Sequence, residues 1–310
     1  MPPSLFSPRE TRVNIVALST CTPTNAYLLR SVAERHPISH VFRVAWSEPA
    51  AAPASRFAKF RKAPVRSVVE LAHRKYLERA HNRREREAMD YLAHLDETVG
   101  DIPTTPIDIR QINSRPFAAE LRRLNPDVLL VTAAPILKPE IFEIPRLATL
   151  NVHRGIAPAY RGERTLFWAL ANNDVDNVGV TLHRIDRGID TGAVLKYGYP
   201  ALAPSDTEAT ITAKSMRLAA EMIADALDDA EQSGLKGAAQ PSVGRCYLAR
   251  EQRIWQEARY QFLRLLGRRR IKPREQRIVT LAPNREASQP SAEQRAKRHA
   301  SRVSHATASV

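Results

Sequence analysis

Two side chains able to polarise a carbonyl, Asn151 and His153, stand two residues apart in the apolar segment ATLNVH. In an extended strand, residues i and i+2 point to one face, so an amide and an imidazole are offered to the same space. Downstream, the segment DRGIDTG spaces Asp186, Gly188, Asp190 and Gly192 through a tight turn, and a carboxylate there can be held close to the imidazole. These groups suit acyl transfer to an amine. Attack of an amine on a formyl carbonyl builds negative charge on oxygen and positive charge on nitrogen. Asn151 and a protonated His153 are candidate donors to that oxygen. Asp190 raises the pKa of a neighbouring imidazole and helps take the proton from the amine. One preorganised donor of this kind is worth ~3 kcal/mol of barrier. Each residue alone has a structural reading as well: a polar strand end, a satisfied core histidine, a turn-forming aspartate. Their combination is what points to chemistry.

The surrounding pattern supplies the elements that must position these groups. The run VNIVALS has the continuous Val/Ile/Leu character of a buried parallel strand. A helix over Asn25 to Glu34 and a strand HVFRVAW complete an opening βαβ unit. After the breaker-rich EPAAAPAS, the stretch from about Ser67 to Leu95 reads as a helix. Val68, Leu71, Ala72, Leu77, Met89, Leu92 and Leu95 are its apolar positions. Heavily charged elsewhere, it reads as a surface insertion. A helix over Pro116 to Leu124, the strands DVLLVTA and ATLNVH, and the pair NVGVTLHRI and AVLKYGYP continue the pattern. Ser205 to Ser233 has helical spacing with Gly234 as a stop, and Trp255 to Leu266 forms a candidate amphipathic helix. The expected fold is α/β: a Rossmann-like, three-layer, mostly parallel open sheet with a helical C-terminal extension. Residues 1–244 form the expected catalytic domain, with a basic helical insertion at about 56–96. Residues 245–283 form a basic helical extension, and 284–310 a disordered tail poor in large apolar residues. The loop Arg154-Gly155-Ile156-Ala157-Pro158 leaves the carboxyl edge of its strand, where open α/β sheets bind ligands.

Composition narrows the classes. The chain has 310 residues, 43% hydrophobic, and a net charge of +14. Residues 245–310 carry +11 and residues 56–86 carry +8, leaving −5 for the rest. Such basic segments attract nucleic acid, anionic lipid or phosphorylated substrates, although solvated faces account for them as well, and the run Gly267 to Arg274 is read that way. No apolar run approaches the ~20 residues of a membrane span. The first residues, MPPSLFSPRETRVNIV, lack the basic-then-apolar pattern of a leader, so a cytoplasmic location is expected. Two cysteines, Cys21 and Cys246, make neither a disulfide framework nor a metal set.

The segment NVHRGIAPAYRG followed by WALANNDVDNVGVTLHRIDRGIDTGAVL resembles the signature of the folate-dependent formyltransferases. Its shape is Asn-x-His, Pro-x-Tyr-Arg-Gly, Gly-Val-Thr-x-His, then Asp-x-Gly-x-Asp-Thr-Gly. A looser resemblance runs from about residue 12 to 245 and includes VTAAPILKPEIF and SDTEATI. The resemblance implies that Asn151, His153 and Asp190 are the catalytic trio and that 10-formyltetrahydrofolate is the donor. It further implies a pterin held by backbone around Ala133, Ala134, Pro135, Ile136 and Leu137 and by the loop containing Asp186, Gly188 and Ile189. Departures bear on the acceptor. Family members often have a serine and leucines after the His, where this chain has Arg154 to Ala157. The first loop, Ser19 to Asn25, has no glycine, which disfavours the phosphate cradle of the glycinamide ribonucleotide enzymes. The Gly-Thr-Pro sequence and the β-rich C-terminal domain usual in methionyl-tRNA enzymes are not recognisable. An amino sugar or nucleotide-linked amino sugar is therefore the expected acceptor. The alternatives are a methionyl-tRNA formyltransferase-like enzyme, a hydrolase with water as nucleophile, and a basic polyanion-binding protein on an inactive scaffold. His183 reads as a strand residue supporting the turn, Arg161 as an anion holder or a loop brace, and Phe167 and Trp168 as core.

Overall fold

The computed structural model describes residues 13–45, 64–92, 98–241, 244–268 and 271–282. Strand β1 (Ile15–Ser19), helix α1 (Pro23–Arg35) and β2 (Ile38–Ala45) form the opening βαβ unit. Helix α2 (Pro64–Leu92) precedes β3 (Thr104–Asp108), α3 (Arg115–Leu124), β4 (Val128–Thr132), the short α4 (Pro139–Phe142) and β5 (Ala148–His153). Then come β6 (Tyr160–Gly162), α5 (Thr165–Ala171), β7 (Val180–Arg184), β8 (Val194–Tyr199), α6 (Glu208–Asp228) and α7 (Ala230–Ser233). The described C-terminal part holds β9 (Arg245–Tyr247), α8 (Ile254–Leu265) and β10 (Arg277–Thr280).

One eight-stranded sheet has the order β10-β8-β7-β5-β4-β1-β2-β3. From β3 to β5 the pairings are parallel, and β7, β8 and β10 attach antiparallel to their neighbours. The central strands IVALS and VLLVT are buried at every position because helices cover both faces. On one side Ile15, Leu130 and Leu150 pack against Leu28 of α1 and Met216 and Leu218 of α6. On the other, Val16, Leu18 and Leu129 pack against Phe117 and Leu121 of α3. Ser114 caps α3 by accepting from Phe117 N at 3.3 Å, and Thr207 and Thr210 form a reciprocal capping box on α6. The chain builds outward from β1 to β3, then returns to β4 on the other side of β1. The loops after β1 and β4 therefore diverge, and their crevice is the switch point at which open α/β sheets take ligands. The Thr132 hydroxyl donates to Ser19 Oγ at 2.7 Å and ties the floor of that crevice.

Three expectations change. The insertion is a single helix of 29 residues, but it is more than a surface element. Val68 and Leu71 in its first half are exposed, whereas Glu85, Ala88 and Met89 are buried near its end, where α2 packs on α1 and α6. Leu95 lies outside the described residues. The region after Gly244 is not purely helical: β9 pairs with β6, and β10 extends the main sheet beside β8. Helix α8 buries Glu257 and Tyr260 but leaves Trp255, Phe262 and Leu265 exposed, so its most apolar face points outward. The expected tail at 284–310 and the EPAAAPAS connection lie outside the described residues. Short elements with little periodicity, β3, α4 and β6, are additions to the sequence reading. No described helix is long and apolar enough to cross a membrane.

Candidate functional site

Strand β5 ends at His153, so Asn151 and His153 share one face, and β7 brings His183 opposite Asn151. The turn between β7 and β8 folds back over the same spot. Asp190 sits there with φ +51°, a left-handed conformation that a short polar side chain tolerates at some cost. The turn is fixed from several directions. Gln240 Nε2 donates to the carbonyls of Asp190 (2.8 Å) and Gly192 (2.9 Å). Arg161 donates to the carbonyls of Ile189 (3.1 Å) and Gly244 (2.7 Å), so this buried residue braces the loop. Asp186 Oδ1 accepts from Gly188 N (3.0 Å) and Thr191 Oγ1 (2.6 Å), the pattern of an Asx turn.

These constraints bring the sequence-predicted trio together. His153 Nδ1 lies 3.2 Å from Asp190 Oδ2, and its Nε2 lies 2.7 Å from the Tyr160 carbonyl oxygen, which places a proton on Nε2. The Asn151 amide donates to Asp190 Oδ1 at 3.3 Å and lies 3.0 Å from His183 Nε2. Gly162 N–H donates to Asp190 Oδ2 at 2.8 Å. His183 is buried and its Nε2 is 3.4 Å from Asp190 Oδ1, so it belongs to the cluster itself, beyond the supporting role its strand position suggested.

Burial alone would raise the Asp190 pKa. The neighbouring His153, then His183, then the Gly162 N–H overcome it and hold the carboxyl well below the usual range. Burial pushes the His153 imidazole down, against the pull of Asp190. The two effects disagree about the charge on the ring. The depression of Asp190 is the firmer, because Gly162 N–H and the Asn151 amide donate to it whatever the ring's state. Asp190 is therefore an anion beside the imidazole, and burial more than offsets the rise expected in the ring's pKa, leaving it below its ordinary value.

A cavity of about 880 Å³ opens beside this cluster. Asn151, His153 and Asp190 line it, as do Ala133, Ala134, Pro135, Ile136, Leu137, Asp186, Gly188 and Ile189. Ala133, at the first position after β4, has φ +53° and turns the backbone into the crevice. His81, Arg84 and Glu85 of α2, together with Arg154, Arg164 and Glu208, line the cavity too. The α2 residues went unrecognised in sequence because charge dominates that helix; the usable signal was helical spacing, which puts 81, 84, 85 and 88 on one face.

Gly155 and Gly162 are among the glycines required by close approach. A Cβ on Gly155 would lie 2.8 Å from both His153 Nε2 and Thr165 Oγ1, and one on Gly162, at φ +88°, would lie 2.3 Å from the Tyr247 carbonyl oxygen. Gly155→Ala must displace the His153 ring or α5. It is expected to lower stability by ~1–3 kcal/mol and to reduce turnover, checked by urea denaturation and initial rates on one preparation. Wild-type stability and turnover together would contradict the geometry.

A match to the formyl transferase family spans residues 15–227. The chain belongs to this family. Among its relatives, methionyl-tRNA formyltransferase of Myxococcus xanthus (strain DK1622) is 38% identical over 135 residues, 43% of each chain. The enzyme of the same name from Burkholderia mallei (strain ATCC 23344) is 39% identical over 123 residues, 39% of this chain and 37% of its own length. The chain thus matches less than half the length of these relatives. A 4-N formyltransferase from Francisella tularensis shares the fold at 13% identity, with a TM-score of 0.50 and coverage of 82% and 88%. The family match spans the trio, both backbone segments of the cavity and α2.

Proposed function

We propose that this protein transfers a formyl group from 10-formyltetrahydrofolate to an amine, with Asn151, His153 and Asp190 as the catalytic residues. The observation that carries the reading is the convergence of Asn151, His153 and Asp190 within 3.2–3.3 Å contacts at the wall of one large cavity. A volume of about 880 Å³ suits a folate-sized ligand. The backbone at 133–137 and at Asp186, Gly188 and Ile189 would hold the pterin, beside the apolar side chains Val44, Val131 and Ile185. The donor, when bound, supplies the formyl group.

Asn151 directs an amide N–H at charge developing on the carbonyl oxygen, in a site largely shielded from water. The Asp190–His153 pair receives the proton that the attacking amine gives up, at Asp190 Oδ2 or His153 Nδ1, which share one contact. The pair returns it to the tetrahydrofolate nitrogen as the bond between that nitrogen and the formyl carbon breaks. Both nitrogens of His153 are engaged before a substrate enters, and the longer Nδ1 contact is the one that yields. Catalytic hydrogen bonds commonly tighten only in the substrate complex.

An amino sugar or nucleotide-linked amino sugar is the acceptor that the glycine-free first loop favours. A second reading, aminoacylated tRNA as the acceptor, is favoured by the names of the relatives that are 38% and 39% identical. One assay separates them: tetrahydrofolate production from 10-formyltetrahydrofolate with amino sugars, their nucleotide conjugates or methionyl-tRNA. Amine-dependent turnover supports the transferase and names the acceptor class. Formate release at the same rate without any amine replaces transfer with hydrolysis, and a donor that neither binds nor reacts overturns the catalytic reading.

A further inference from the structure

Three guanidinium groups reach the cavity from three separate parts of the chain. Arg84 comes from the buried end of α2, Arg154 follows His153 directly, and Arg164 caps α5 two residues after Gly162, whose N–H holds Asp190. They act on one another: Arg84 and Arg154 both work against the charge on the partly buried Arg164. Like charges brought together away from water are costly unless something anionic compensates them.

The carboxylates nearby do so only in part. Glu208 is shared between Arg164 (3.2 Å) and Arg84 (3.4 Å). Glu257 is 3.8 Å from Arg84 and already accepts from Gln252 (3.0 Å) and Gln261 (3.3 Å). Glu85 accepts from Thr24 N (3.2 Å) and Thr24 Oγ1 (2.8 Å), leaving only a 3.7 Å contact with Arg154. Arg84 Nη2 and Arg164 Nε are shut off from solvent with no hydrogen-bond partner. A buried charged N–H without an acceptor is an expensive arrangement. The contacts that Arg84 does make are long, 3.4 Å and 3.8 Å, and the residue lines the cavity.

We infer that Arg84, Arg154 and Arg164 form an oxyanion subsite, and that the amine acceptor carries a phosphate or carboxylate group that docks there. The planar guanidinium fork matches both groups. The subsite replaces the phosphate cradle missing from the first loop and gives the insertion helix a role in substrate recognition. Assigning the occupant as the acceptor rests on the transfer reading; oxyanion binding itself does not.

The test is calorimetric titration of the full chain with inorganic phosphate and, separately, with acetate, at constant ionic strength. Phosphate is expected to bind the wild type, and Arg84→Gln to weaken it at least about tenfold, with partial recovery in Arg84→Lys. Arg164→Gln serves as the second variant if Arg84→Gln fails to fold. Preference for phosphate over acetate assigns a phosphorylated acceptor, and equal affinity a carboxylate. His153→Ala is expected to bind phosphate as the wild type does, so failure of the catalytic reading leaves this result standing. Absence of phosphate binding, or equal affinity in the wild type and both glutamine variants, overturns the subsite.

Discussion

His153→Ala is expected to lower the turnover number by ~10²–10⁴ while the affinity for 10-formyltetrahydrofolate stays unchanged. The asymmetry follows from where the ring sits. Its nitrogens face Tyr160 O and Asp190 Oδ2, whereas the proposed donor site is formed by the backbone at 133–137 and the Asp186–Asp190 turn, which line the cavity. On the proposed mechanism, alanine removes the partner through which Asp190 exchanges a proton, and it leaves the Tyr160 carbonyl without its donor. A buried acceptor stripped of its partner costs ~1–3 kcal/mol, so the variant should also melt earlier. Steady-state rates with a saturating amine, together with equilibrium titration of the donor, check both halves. Turnover within a factor of ten of the wild type would remove His153 from the chemistry. A loss confined to donor affinity would make it a binding residue.

Much of this arrangement is legible in the sequence, and the reasons are local. The buried runs IVALS and VLLVT admit few readings but central parallel strands. The i, i+2 relation of Asn151 and His153 follows from strand geometry alone. That Asp190 should return to them follows from the glycine-punctuated turn. What sequence left obscure depended on contacts distant along the chain. Nothing local in Glu85 reveals that Thr24 binds it across 61 residues, so α2 read as a surface insertion. His183 looked structural because its partners, Asn151 and Asp190, meet it only through strand pairing and the turn. Arg161 has two readings in sequence, and the Ile189 and Gly244 carbonyls that occupy it decide for the loop brace. Strands β9 and β10 are short and charged, and only their pairing with β6 and β8 makes them strands.

Asp190→Asn is expected to reduce turnover by ~10³–10⁴, the scale of loss when a buried carboxylate beside a catalytic imidazole becomes an amide. An amide cannot reproduce the carboxylate's contacts in either orientation. With its NH₂ in the place of Oδ2 it meets the Gly162 N–H, and in the place of Oδ1 it meets the Asn151 amide. One donor therefore faces another, at a cost of ~1–3 kcal/mol. The pH dependence separates this cost from loss of charge. The Asp190 carboxyl is held far below the usual range by His153, His183 and Gly162 N–H in spite of burial, whereas an unfolded aspartate titrates near ~3.9. A group with a depressed folded pKa stabilises fully above its unfolded value, and that contribution disappears as pH falls toward the folded value. Wild-type stability should therefore fall between about pH 5 and pH 3, while the asparagine variant, lacking the group, falls less. The gap between their urea midpoints is expected to narrow over that interval. A constant gap would mean that Asp190 contributes shape alone, and the proton acceptor would then have to be sought in His153 without its partner.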